Sequence, residues 1–339
     1  MSAPQADGWT RRRFLGGLTL TGTAGLLSLH AKPVAGEPPP ETTTLTLAQT
    51  TSLCQAPQYI AEALLHGEGF TEVRYVKDAR QDYVRALAAG EVDLTMVFVG
   101  PLLLRLDEGA PVILLGGGHI GCLELFVTER VRSIRDLKGK TVAVTAPGSA
   151  PHVFLASIMA YVGLDPRKDI HLVTQAPDEA VRLLEAGQVD VYITSPPWAQ
   201  QLRARQVGRV LVNSSTDRPW SQYFCCVLAG NQKFVREHPV ATKRALRAIL
   251  KAADLCGLEP DRAAQSVVER GFTNRYDYAL QSMQDTPYGK WREYDPEDTV
   301  RFYALRLHEV GMIKRTPQQL IAQGTDWRFF NELKRELKG

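Results

Sequence analysis

The 339-residue chain is poor in cysteine and in aromatic side chains, and it carries almost no net charge. Five cysteines, Cys54, Cys122, Cys225, Cys226 and Cys256, make an odd number, and no two are spaced C-x-x-C. That excludes a disulfide framework, the dithiol redox motif and the zinc-ribbon spacings. No H-E-x-x-H occurs and no Cys/His group has metal-ligand spacing along the chain, so neither a metal site nor a cofactor is expected. Cys225 and Cys226 are neighbours on a predicted strand and point to opposite faces, so they are not expected to pair with each other; an oxidising compartment would permit a disulfide, but free buried thiols are the expected state. The formal charge is +3, but residues 1–36 hold Arg11, Arg12, Arg13 and Lys32 against Asp7 alone. The remainder balances at 36 basic against 36 acidic side chains. A neutral body lacks the field that nucleic acid or an anionic membrane needs, so neither is an expected partner. Long hydrophobic runs are also missing. The stretch 16–29 is too short and too rich in Gly and Thr for a bilayer span, which takes roughly 20 apolar residues.

What is present is a repeat. VRALAAGEVDLTMVFVGP at 84–101 returns as VRLLEAGQVDVYITSPP at 181–197, an offset of 97 residues. Each copy reads as a helix closed by a left-handed Gly, a Val-Asp step, a strand buried on both faces and a loop. Two copies imply two similar α/β lobes, with function where they face each other. At the N-terminus, Thr10-Arg11-Arg12-Arg13-Phe14-Leu15 resembles the bacterial twin-arginine export pattern. Residues 1–36 are therefore expected to be an export signal cut near 31–36, with 37–44 a tether. Such cargo folds before export, and no direct membrane insertion is expected once the signal is gone.

Between 45 and 115, strands alternate with helices, which implies parallel pairing and right-handed crossovers. Residues 116–119 read as a flexible break and 122–128 as a strand leaving the first lobe. The same order of elements repeats from 141 to 213. An apolar strand at 223–229 returns, and everything beyond it reads as helix. The expected domains are 45–124 with 225–339, then 125–224, joined by two crossovers that act as a hinge.

By this point the residues resemble a known family. The βαβαβ lobe, the crossover strand, the run RDLKGKTVAV at 135–144 and the second A-G-x-V-D look like periplasmic substrate-binding proteins of ABC importers. The nitrate/sulfonate/taurine group fits best, a set that also includes binders of thiamine-pyrimidine precursors. GMI at 311–313 and DWRFF at 326–330 resemble that family's closing helices. The resemblance implies a two-lobed α/β fold of the periplasmic binding protein type (type II-like). Each lobe would have a mostly parallel sheet with flanking helices, and a helical C-terminal tail would follow. It also implies a periplasmic monomer that captures a small organic or anionic ligand, delivers it to an inner-membrane permease and performs no chemistry.

Ligands of open α/β sheets bind beyond the carboxyl ends of the strands. That rule selects Ser52 and Cys54, Gly100 and Pro101, and His119 in the first lobe. In the second it selects Gly148, Ser149 and His152, then Ser195 and Trp198. Trp220 and Tyr223 sit at the start of the returning strand and offer flat surfaces with a polar edge. The loop 146–150 has the strongest physics, because small residues open a helix whose N–H groups favour an acid group. Asp93 and Asp190 end the repeat at the other end of each sheet and are read as scaffold.

Three other motifs fail. Residues 116–121 match G-x-G-x-x-G, but a strand follows where a dinucleotide site needs a helix. Residues 139–141 look like the end of a phosphate loop, but Ile134 stands where that loop needs Gly. Ser149 and His152 lack an orienting carboxylate, so no hydrolase triad and no catalytic residue is expected. Two rival readings are an enzyme on the same fold acting on a thiamine-pyrimidine precursor, and a ligand sensor for a membrane receptor. The enzyme group carries C-C-C-F-C, where this chain has only Phe224-Cys225-Cys226-Val227. No Arg lies in the selected loops to mark a strong anion clamp.

Overall fold

The structure is a computed structural model and describes residues 36–77 and 82–338. The expected export signal lies outside the described residues, Gly36 apart. No helix among the described residues is long and apolar enough to cross a membrane.

Among the described residues, ten strands build two five-stranded sheets. The first holds β1 (Thr44–Ala48), β2 (Glu72–Val76), β3 (Leu94–Phe98), β4 (Val112–Ile120) and β10 (Phe224–Asn231), in the order β2-β1-β3-β10-β4. The second holds β5 (Glu124–Val127), β6 (Thr141–Val144), β7 (His171–Thr174), β8 (Val191–Thr194) and β9 (Arg209–Asn213), in the order β7-β6-β8-β5-β9. The pattern is the same in both. Three parallel strands stand beside a fourth, antiparallel one that begins or ends a passage between the lobes. The apolar runs LTMVF and VYIT form β3 and β8, and every residue of both strands is buried. They are central strands covered on both faces.

The repeated A-G-x-V-D step explains the duplication physically. Gly90 (φ 74°) and Gly187 (φ 66°) end the helices Tyr83–Ala88 and Pro177–Glu185 in the left-handed region that favours glycine. The Asp93 carboxylate then accepts from the Thr46 N–H at 2.7 Å, and the Asp190 carboxylate from the Thr141 N–H at 3.0 Å. The Asp93 and Asp190 N–H groups return bonds to the same two residues' carbonyls, each at 2.9 Å. Each Asp thus ties the start of one central strand to its neighbour, at the end of the sheet away from the cleft.

Residues 116–119 are not a flexible break. They belong to β4, the longest strand, and are buried. A Cβ on Gly116 would lie 2.4 Å from the Phe330 ring, and one on Gly117 2.2 Å from the Phe224 ring. The glycines are there because aromatic rings lie directly on the strand. Phe330 comes from the helix Arg328–Glu336, and just before it Asp326 donates its N–H to the Leu114 carbonyl at 2.9 Å. The helical tail therefore packs on the first sheet. The helix Pro239–Leu258 joins it there, where Arg247 meets the carboxylate of Glu68 at 2.7 Å.

Candidate functional site

A cavity of about 690 Å³ lies between the two sheets, walled by residues of both. It opens beyond the carboxyl ends of β1, β3, β6 and β8, as the topology rule requires. Of the sequence-selected residues, Ser52, Cys54, Pro101, Gly148, Ser149, Ser195 and Trp198 lie on its wall.

Five do not, each for a packing reason. Gly100 sits in the helix Val99–Asp107, where a Cβ would come 2.4 Å from Val153, so it serves the contact between that helix and Ala150–Tyr161. His119 is fully buried on β4, with Nδ1 at 2.9 Å from the Gly121 carbonyl. His152 Nδ1 accepts from the Gly148 N–H at 2.9 Å and so braces the loop; burial pulls its pKa down, which keeps the ring neutral. Trp220 is buried with its ring against Phe154 and Tyr161. Tyr223 stacks on Phe302 with centroids 4.1 Å apart.

The loop 146–150 opens a helix as expected, but the Gly148 N–H is taken by His152 and the Ser149 N–H by the Ala146 carbonyl at 3.2 Å. Gly148 (φ 76°) turns the chain, Ser149 is the N-cap, and its hydroxyl donates to the Ala146 carbonyl at 2.6 Å. The helix Ala150–Tyr161 therefore begins on the wall, with the positive end of its dipole there.

The two lobes meet across the cleft. Ser52 Oγ donates to the Pro196 carbonyl at 3.2 Å and lies 3.1 Å from Ser195 Oγ, and the Leu53 N–H reaches the same carbonyl at 3.1 Å. A second clasp joins Arg203, from the helix Trp198–Ala204, to Glu124 at 2.6 Å and to Asp285 of the tail. Burial pushes the Glu124 carboxyl up to about 7, against the pull of Arg203.

Sequence reasoning missed the charged part of the wall. Asp82, Arg85, Arg105 and Glu108 line the cavity. Arg105 pairs with Asp82 at 2.5 Å and Glu108 at 2.8 Å, and Arg85 pairs with Glu91 at 2.9 Å. The signal was available, since Asp82 caps the first repeat helix by accepting from the Arg85 N–H at 3.0 Å. Pro177 opens the matching helix of the second copy and also lies on the wall. A further group was missed although His119 and Cys122 stand three residues apart: Cys54, His119, Cys122 and Cys226 converge under the cavity floor. All five cysteines are free and buried. A register irregularity in β10 breaks the strict alternation expected for Cys225 and Cys226. Cys225 Sγ lies 3.1 Å from Cys122 Sγ, while Cys226 joins the four-residue group.

A family model described as the NMT1-like family matches residues 38–270. The nitrate/nitrite binding protein NrtA of a Synechocystis strain is 25% identical over 252 residues, 66% of this chain and 55% of that protein. The bicarbonate-binding protein CmpA of a Synechococcus strain is 27% identical over 127 residues, 38% of this chain and 28% of its own. The chain thus spans less than two thirds of the length of either. Among solved structures, the periplasmic nitrate-binding protein NrtA from Synechocystis superposes with TM-score 0.74 at 16% identity, over 89% of this chain and 90% of that one. The alkanesulfonate-binding protein SsuA from Xanthomonas axonopodis, bound to MOPS, gives TM-score 0.64 at 20% identity, over 85% of this chain and 99% of that one. At these identities the likeness speaks to the fold, which is that of the periplasmic binding proteins.

Proposed function

Because this chain belongs to the NMT1-like family, we propose that it is the extracytoplasmic solute-binding component of an ABC importer, which traps a small ligand between two lobes and hands it to a membrane permease. The observation that carries this reading is the cavity itself, walled by both lobes, with Ser52 of one bonded to the Pro196 carbonyl of the other. Its volume suits an organic molecule better than a small inorganic oxyanion. An acid group on the ligand would face the N-terminus of the helix Ala150–Tyr161, beside Ser195 of the other wall segment. The ligand body would lie over Trp198, Tyr192 and Leu104. The wall arginines already have carboxylate partners, which favours one acid group on a larger body over a small, fully charged anion.

The same reading makes the chain a periplasmic monomer, exported folded through its twin-arginine segment. Lobe one would be 45–124 with 225–339, and lobe two 125–224. A thermal-shift screen of sulfonates, carboxylates, pyrimidines, nitrate and bicarbonate tests it. A true ligand at a hundredfold excess over its Kd adds about 2.7 kcal/mol of apparent stability. A screen in which no member raises Tm would overturn the ligand class.

A further inference from the structure

We infer that Cys54, His119, Cys122 and Cys226 form a binding site for one thiophilic transition-metal ion, of which Zn2+ is the representative, set in the floor of the cleft where the chain passes between lobes. The four side chains are buried, and their ligand atoms all lie within 4.8 Å of one another. Cys54 Sγ and Cys226 Sγ are 4.0 Å apart. Tetrahedral zinc with bonds of about 2.3 Å to sulfur and 2.0–2.1 Å to nitrogen needs ligand separations of roughly 3.5–3.8 Å, so closing on an ion takes only a small inward movement.

His119 supplies the independent observation. Its Nδ1 faces two carbonyls, Gly121 at 2.9 Å and Ile120 at 3.2 Å. Carbonyls only accept, so Nδ1 carries a proton and Nε2 is the nitrogen left to ligate. Nε2 is buried and has no hydrogen-bond partner. An imidazole held by a carbonyl on one nitrogen and left bare on the other is the arrangement a metal-ligating histidine takes. The loop bearing Cys54 is held as well, because the Tyr288 hydroxyl donates to the Cys54 carbonyl at 3.0 Å. The group contains no carboxylate, and three sulfurs with one imidazole select zinc or copper(I) over magnesium or calcium. On binding, each coordinating thiol releases its proton to solvent and bonds as the thiolate.

The placement gives the ion a role. Cys54 follows β1, His119 ends β4, Cys122 lies in the first passage between lobes, and Cys226 is on β10, the returning strand. The ion would therefore tie both passages to the first sheet. Cys54, Cys122 and Cys226 also line the cavity, so it would form part of the floor beneath the ligand.

The test uses the reduced, metal-free chain. Titration with Zn2+ against a chromophoric chelator is expected to show one tight site per chain, and Co2+ should give thiolate-to-cobalt charge-transfer absorption. Peptide mapping after alkylation should show Zn2+ protecting Cys54, Cys122 and Cys226, on the unmodified sequence, so that no misfolded variant can mask the result. H119A and C226S should each weaken Zn2+ at least a hundredfold, while C256S leaves it unchanged. Failure of the reduced chain to hold stoichiometric Zn2+ overturns the site. So does equal protection of Cys256, or oxidation by air of Cys122 and Cys225 to a disulfide at the same rate with and without Zn2+.

Discussion

The two copies of the repeat place an aspartate at the same point of the same ladder, yet the two carboxylates live differently. Asp93 lies in the sheet that the helical tail covers, and burial pushes its pKa up despite the two bonds from Thr46. Burial also acts on Asp190, but the Thr141 N–H and Arg130, whose Nε lies 2.5 Å away, outweigh it and hold the pKa below the ordinary value. The fourth strands differ in the same sense. β10 opens on Phe224, whose N–H bonds the Thr299 hydroxyl at 3.0 Å, whereas β5 opens on the buried carboxylate of Glu124. The first lobe is a packed, apolar body sealed by the tail; the second uses charge where the first uses rings. A shared motif therefore sets geometry, while the covering layer sets the electrostatics of each copy.

The largest expected effect breaks the first lobe alone. Gly117→Ala puts a methyl carbon into the Phe224 ring and should cost about 3 kcal/mol or more, read as a drop in the denaturation midpoint. Gly139→Ala, at a turn with nothing within 4 Å of its added carbon, should cost only about 1 kcal/mol for its left-handed backbone. Next is the charge at the entry to the second sheet. The Glu124 folded pKa stands above the unfolded one, so its contribution is full below about 4.5 and is lost as pH rises through about 7. Glu124→Gln should remove roughly 2–3 kcal/mol of the decline in stability between pH 5 and 8, measured by urea titration at each pH. A wild-type curve that is flat across that interval would show that Arg203 outweighs burial.

The paired aspartates give a smaller and sharper contrast. Asp190 contributes stability above about pH 3.8, lost as pH falls through its lower folded value; Asp93 has the opposite sign. At pH 7, Asp190→Asn should cost about 1–2 kcal/mol more than Asp93→Asn, and the gap should close as pH falls through the lowered folded value of Asp190. Equal costs at pH 7 would make the two copies electrostatically equivalent. Smallest is Ser52→Ala, which removes the hydroxyl across the cleft. It should weaken ligand binding about two- to tenfold by calorimetry while leaving the unfolding midpoint unchanged.

Most of the architecture was legible because it rests on periodicity. Alternating strands and helices, the Gly-closed helices and the two crossovers follow from local pattern, and Asp93 and Asp190 were correctly set aside as scaffold. The cavity wall was legible where it follows directly from a strand end, as at Ser52, Pro101, Ser149 and Ser195. It was not legible where a side chain's direction depends on a distant partner. The glycines of β4 look like a loop until Phe330 and Phe224 are placed on them, and Trp220 and Tyr223 look like ligand platforms until Trp220 is buried against Phe154 and Phe302 stacks on Tyr223. The four-residue group at Cys54 draws on three separate segments, so only the His119/Cys122 pair, three residues apart, could be seen in the sequence.

The strand order has a consequence for synthesis. β5 to β9 are contiguous in the chain, but the first sheet needs β10, and β4 is sealed only when Phe330 arrives. The middle of the polypeptide can thus complete its sheet on the ribosome, while the segment made first waits for the segment made last. Until then β3 and β4 lack the strand that separates them, and Cys54 and His119 wait for Cys226.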